Sequence, residues 1–337
     1  MIIRAVGMAL ALVALGGSAA CADPVEDFYR GKTINLYVGF PPGGGYDIYA
    51  RAVAPYFTAQ IPGRPVVTVR NMEGGSGVRA ASYISTVTPQ DGTSLAMMLD
   101  TTTLGKLLGG PGEFEPAKLK WIGRIASTQS VAMVWHTAPA QTIDEARKTE
   151  IIIAVTQAAN STSMIATALN DLAGTKFKII RGYQGSPPQA LAMERGEVHA
   201  IGGMSWEAVQ ATHAHWLREK KARVLYSLGA QRLRDAPDAP SLMDLADNER
   251  ARRILGLFAS APDIGRSFAA EPAIPPDRLQ ALRRAFDVAM RNPELVAEMK
   301  KRSLDIDPLA GEEVQKLVEA TVATPPDLLD AAKRYIQ

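Results

Sequence analysis

The residues of this chain best placed to hold a ligand offer backbone rather than side chains. Residues 38–51 read VGFPPGGGYDIYAR, so that Pro42, Gly43, Gly44, Gly45, Tyr46 and Asp47 stand between an apolar run and an apparent helix. Glycine lacks a Cβ, so such a stretch can make a tight turn or let a bound group approach the main chain. At a helix start, unpaired N–H groups and the helix dipole favour an anion. Taken alone, the stretch is compatible with a turn and with an anion cradle.

Side-chain chemistry finds less support. The hydrolase elbow G-x-S-x-G is absent: Gly74-Gly75-Ser76-Gly77 has the wrong spacing, and Gly203-Met204-Ser205-Trp206-Glu207 ends in glutamate. Thr103-Leu104-Gly105-Lys106 imitates an S-x-x-K site only with threonine for serine. None of the four histidines forms H-E-x-x-H, and His213 and His215, two apart in helical text, point away from each other and read as surface residues. No metal and no cofactor is expected. Gly31-Lys32-Thr33 ends like a phosphate loop but is followed by a strand. Gly75-Ser76-Gly77-Val78-Arg79-Ala80 matches G-x-G-x-x-A, with Asp100 at a strand end 20 residues on. That leaves an exported dinucleotide-dependent oxidoreductase as an alternative, opposed by the four residues between Arg70 and Gly75, where the fingerprint turn is immediate.

These residues need elements to position them. Thr33–Phe40, Val66–Arg70 and Thr93–Leu99 read as strands, with helices over Asp47–Gln60 and Val78–Ser85 between them. Pro55 should kink or interrupt the first helix. A second series follows strand-like text around Trp121–Trp135: strands at Ile151–Thr156, Phe177–Arg181 and Val198–Gly202 alternate with helices at Thr162–Leu172 and Pro188–Arg195. Such alternation predicts two α/β lobes, each a mostly parallel sheet flanked by helices. From Ala236 the chain is Pro-rich and then mostly helical, and its Arg283-Arg284 pair reads as a solvated face. Strand-like connections near Arg124–Ser127 and Arg223–Leu228 suggest a hinge with a ligand cleft between the lobes.

Residues 1–22 carry one charge at Arg4, an apolar run from Ala5 to Leu15 and small residues, which is a secretory leader pattern. Ala20-Cys21-Ala22 fits cleavage before Asp23; lipidation of Cys21 is the competing route, with Ser18 where an aliphatic residue is usual. Cys21 is the only cysteine, so the folded part has no disulfide. The remaining 36 basic and 35 acidic residues nearly balance, and no basic stripe argues for nucleic acid.

Four segments in order, KTINLYVGFPPGGGYDIYAR (32–51), VVTVRNMEGGSGVRAASYI (66–84), PQDGTSL (89–95) and IIRGYQGSPPQALAMERGEVHA (179–200), resemble the Bug-type solute-binding receptors of tripartite tricarboxylate transporters. DAPDAPSL (235–242) and IPPDRLQALRRAF (274–286) resemble the family's return to the first lobe. The resemblance implies a two-lobed periplasmic-binding-protein (Venus-flytrap) fold and a periplasmic, monomeric receptor rather than an enzyme. The receptor would deliver a small organic carboxylate, a di- or tricarboxylate or an aromatic acid, to membrane permease subunits; presentation of the same ligand to a membrane sensor kinase is the alternative. The implied domains are 23–124 for lobe 1, 125–226 for lobe 2 and 227–337 for a return to lobe 1. In the family, backbone amides of two loops grip one carboxylate. Here they correspond to Pro42, Gly43, Gly44 and Gly45 on one side and Tyr183, Gln184 and Gly185 on the other. Asn160, Ser161 and Thr162 could cap a helix or the ligand, and Thr101 and Thr102 could donate hydroxyls. Tyr46, Tyr183 and Trp206, beside Ser205, could line an aromatic far end, or Tyr46 and Trp206 could be packing residues.

Overall fold

The computed structural model describes residues 23–336 except 41, 44, 157–159 and 184, and gives no side-chain account of residues 76 and 100. The leader reading of 1–22 and the site assignments of Gly44 and Gln184 therefore lie outside the described residues. The first unit runs α1 (Pro24–Tyr29), β1 (Thr33–Val38), α2 (Gly45–Gln60), β2 (Val66–Asn71), α3 (Val78–Thr86), β3 (Ser94–Met98), α4 (Asp100–Leu107) and β4 (Lys120–Ala126). The chain crosses into β5 (Ser130–Trp135), α5 (Ile143–Ala146), β6 (Ile151–Ala154), α6 (Ser161–Leu172), β7 (Phe177–Ile180), α7 (Ser186–Glu194), β8 (Ala200–Ser205), α8 (Trp206–Thr212), α9 (Ala214–Arg218) and β9 (Ala222–Ser227). The last third holds α10 (Glu249–Ala259), α11 (Ala261–Ile264), β10 (Arg266–Ala270), α12 (Pro276–Met290), α13 (Pro293–Lys301), β11 (Leu309–Ala310), α14 (Gly311–Val322) and α15 (Pro326–Lys333).

Two separate sheets result, ordered β11-β4-β10-β3-β1-β2 and β7-β6-β8-β5-β9. In β1 the alternation of side chains sends Ile34, Leu36 and Val38 into a core with α2 and α12, while Tyr37 faces the opposite core with α3 and α14. β6 divides its residues in the same way, Ile151 and Ile153 towards α6 and α10, Ala154 towards α7 and α8. Burial on both faces explains why these strands read as nearly continuous apolar runs.

The sheets are mixed rather than mostly parallel. β1, β2 and β3 pair in parallel, as do β6, β7 and β8. β10 lies antiparallel to both β3 and β4, and β5 antiparallel to both β8 and β9. β10 is absent from the sequence reading, because five fully buried residues, RSFAA, carry no periodicity. It moves the second crossing to Gly265–Arg266, whereas Arg223–Leu228 lies inside and just beyond β9 of the second sheet.

Four further expectations change. α2 runs unbroken through Pro55, whose ring is on the exposed face, while Tyr49, Val53 and Phe57 anchor the opposite face in the core; that burial outweighs the lost hydrogen bond. Residues 227–337 do not all return to the first sheet, since α10 and the α15 segment, through Ala332 and Tyr335, pack on the second sheet's core. Arg283 is largely buried, donating to the Trp121 carbonyl at 2.9 Å and pairing with Glu312. His213 is half-buried, stacked on Trp216 with ring centres 3.9 Å apart; burial is the main cause that lowers its pKa.

Candidate functional site

Parallel pairing puts the C-terminal ends of β1, β2 and β3 on one edge of the first sheet, where open α/β sheets hold ligands. The loops leaving those ends meet backbone to backbone. A Cβ on Gly39 would stand 2.5 Å from the Gly77 Cα, and one on Gly77 would stand 3.1 Å from the Thr102 Oγ1. Gly75 and Gly77 also sit at φ +56° and +87°. The G-x-G-x-x-A text thus forms a left-handed turn that lets two loops and α4 touch. Asp100, Thr101 and Thr102 lie in the first turn of α4, where the sequence suggests only a strand end, with Thr101 partly exposed and Thr102 buried.

Asp47 braces the glycine stretch. Its carboxylate, 2% exposed, accepts from the Gly43 N–H at 2.9 Å, from Arg51 Nε at 2.9 Å and from Asn71 Nδ2 at 2.8 Å. Asn71 also donates to the Phe40 carbonyl, so one end of the loop is fastened to Asp47 directly and the other through Asn71. Burial by itself would raise the Asp47 carboxyl, but the bonds from Arg51, Gly43 and Asn71 outweigh it and hold the group below its usual range. With its oxygens engaged in this way, Asp47 positions the loop. Gly45 is the first residue of α2 and is exposed, and a Cβ there would meet nothing within 4 Å. Tyr46 stacks on Phe40 at 5.3 Å between ring centres and packs partly against the first core.

The second sheet repeats the plan with β6, β7 and β8. Asn160 caps α6 by accepting from the Thr162 N–H at 3.1 Å, and the Thr162 hydroxyl lies 3.0 Å from that of Thr156. Asn160 therefore has the capping role, while Ser161 remains partly exposed. Thr162 comes this close because Gly203 has no Cβ: one placed there would stand 2.5 Å from the Thr162 Cγ2. Gly182 and Gly185 take φ +103° and +94°, turning the chain through Tyr183 into α7. Among the described residues no side chain caps that helix, and since Pro187 and Pro188 lack N–H groups, the open donors of its first turn are those of Gly185 and Ser186. Ser205 caps α8 through the Ala208 N–H at 3.3 Å. Trp206 is 4% exposed, fills the core beside Met204 and Val209, and donates to Asp235 at 2.9 Å. Of the two roles open to Trp206, packing is the one its burial supports.

Sequence reasoning missed what joins the two rims. Arg266, at the start of β10, meets Glu207, in the first turn of α8, at 3.0 Å. Its guanidinium lies 4.4 Å from the Tyr49 ring centre and 5.6 Å from that of Tyr46. A lone arginine in the apolar text IGRSFAA was the available signal. Among the described residues no group of three His, Cys, Asp or Glu could hold a metal, and no helix is long and apolar enough to cross a membrane.

A family model described as "Tripartite tricarboxylate transporter family receptor" matches residues 50–332. The protein BugT of Bordetella pertussis (strain Tohama I) is 26% identical over 238 residues, covering 68% of this chain and 70% of its own. A crystal structure of a TctC solute-binding protein from Polaromonas superposes with a TM-score of 0.67 at 21% identity, over 90% of this chain and 99% of that one. An R. palustris protein solved with adipate gives 0.64 at 18% identity, over 89% and 97%. The fold is therefore that of the two-lobed solute-binding proteins, and with its family model spanning most of the sequence, the chain belongs to the tripartite tricarboxylate transporter receptor family, one of solute-binding receptors and not of enzymes.

Proposed function

We propose that this chain is an extracytoplasmic receptor that captures a small organic carboxylate between its two loop rims and delivers it to the permease subunits of a tripartite tricarboxylate transporter. The observation that carries this reading is the paired arrangement of the rims. Each sits at the C-terminal ends of three parallel strands, and each contains glycine-rich backbone leading into a helix start. Main-chain donors in a closed cleft hold a carboxylate by charge-assisted hydrogen bonds without needing an arginine. The adipate found with the R. palustris relative supports a carboxylate as the ligand class.

In this reading Pro42, Gly43, Gly44 and Gly45 grip the anion from one lobe and Tyr183, Gln184 and Gly185 from the other. Tyr46, Thr101, Ser161 and Thr162 lie around them, while Asp47, Asn160, Ser205 and Trp206 hold the rims in place. Lobe 1 comprises 23–124 with most of 227–337, and lobe 2 comprises 125–226 with α10 and α15 attached. Residues 1–22 are a cleaved leader that sends a monomeric protein to the periplasm. A thermal-shift screen of organic acids on the chain from Asp23 onward tests the function: at about 100 times its Kd a true ligand adds roughly 2.7 kcal/mol, seen as several degrees in Tm. A screen in which a different solute class raises the midpoint and no carboxylate does so would overturn it.

A further inference from the structure

The carboxylate-receptor reading leaves the charge of the ligand open, and the floor between the rims bears on it. Arg266 belongs to the first sheet and Glu207 to the helix that leaves the second, so their 3.0 Å contact crosses between the lobes. The side chains are 5% and 13% exposed. Arg266 also donates to the Ser127 carbonyl, in the β4–β5 crossing, at 3.2 Å. The pair thus lies beneath the glycine-loop helix, which contributes Tyr46 and Tyr49, and against the Ser205–Trp206 turn.

A buried arginine would ordinarily be the natural receptor for a ligand's second carboxylate. Here its charge is already matched by Glu207, and a buried pair of this kind acts as a neutral unit. Nearby cations are engaged as well. Arg51 is held by Asp47, Arg124 by Asp307, and Arg181 lies back along α6 on the hydroxyls of Ser163 and Thr167. Further acids add to the negative side of the floor. Asp235 accepts from the Trp206 indole, and Asp305 has its carboxyl raised first by burial and then by the nearness of Glu207. A single carboxylate on the backbone donors is accommodated, but a second one reaching the floor finds Arg266 already paired with Glu207, so the cost of desolvating its charge goes uncompensated.

We propose that Glu207 is a specificity-determining residue: by neutralising Arg266 across the lobes, it restricts the cleft to monoanionic carboxylates. The proposal rests on the receptor reading and narrows its ligand class. It is tested by calorimetric titration of the chain from Asp23 onward with matched acids, hexanoate against adipate and benzoate against terephthalate. The expected result is that a monoacid binds at least about tenfold more tightly than its diacid partner. Glu207→Gln, which keeps the side-chain shape and releases the charge of Arg266, moves that ratio towards the diacid by about tenfold or more. The double variant Glu207→Gln/Arg266→Gln removes both charges and shows no diacid gain. A wild-type protein that prefers the diacids overturns the proposal without any variant, as does an unchanged ratio in folded Glu207→Gln. Failure of all four acids to bind, together with a thermal-shift screen in which a different solute class and no carboxylate raises the midpoint, overturns the carboxylate reading itself, which separates the two failures.

Discussion

Glu271 is a residue whose chemistry is set by its surroundings and not by its neighbours in sequence. It is fully buried, and its Oε1 accepts the N–H groups of Asp91 at 3.1 Å and Gly92 at 2.7 Å while Oε2 has no hydrogen-bond partner among the described residues. Burial is the dominant cause that pushes its carboxyl up to about 7, against the pull of the backbone donors. A carboxyl raised in the folded state contributes most to stability below its unfolded value near 4.5, and that contribution is lost as pH rises to about 7. Glu271→Gln keeps an acceptor for both N–H groups and removes the titration. The variant should gain more stability over its parent at pH 8 than at pH 5, by roughly 3 kcal/mol in urea unfolding. Equal gains at the two pH values would show that the carboxyl does not titrate in that window. Asp47 illustrates the opposite case: its pairing with Arg51 one helical turn on is legible in the spacing, but Asn71, which fastens the same carboxylate to the Phe40 carbonyl, comes from a different strand.

At the scale of elements, the glycine stretch and α2 form one unit, a turn whose donors depend on an unobstructed approach. Gly43 has φ +80°, where any side chain strains the backbone, so a substitution there would confuse folding with binding. Gly45 lies outside the left-handed region with open space around it. Gly45→Val should therefore leave the Tm of the free protein within about a degree or two while lowering carboxylate affinity by at least about tenfold, measured by calorimetry. Full affinity in that variant would reduce the stretch to a turn. Elements themselves were legible to the extent that they repeat a period. α2, α6 and α12 announce themselves by apolar residues on one face, and β1 and β3 by apolar runs between turn residues. β10 and α4 are short and have little period to read, so only pairing with β3 and β4, and packing against α11, give them away.

At the scale of the molecule, the chain passes between the two units three times: from β4 to β5, from α11 to β10, and from α14 to α15. The last crossing ties the C-terminus to the second core. Tyr335 is buried there against Phe258 in an edge contact at 6.3 Å, and its hydroxyl donates to Asp171, which also pairs with Arg250. Tyr335→Ala should cost about 3 kcal/mol in denaturant unfolding through lost burial and a cavity. A loss below about 0.5 kcal/mol would mean that the terminal segment is not docked in solution. The destination of α15 could not be read from the sequence, because its amphipathic face specifies that something must cover it and not which lobe does so.

The sequence by itself determined the class of fold, the succession of strands and helices, the two glycine-rich turns before helices and the resemblance that points to a receptor. These are local properties, since apolar period, missing Cβ atoms and helix-capping residues act over a few positions. Only the tertiary structure decided that the sheets are mixed, that Gly39 packs on Gly77, that Trp206 is core, and that Arg266 and Glu207 meet across the lobes. The reason is physical. Strand direction, close backbone approach and ion pairing between residues 59 positions apart are set by how separate elements satisfy burial and charge together, and no pattern within one element encodes its partner in another.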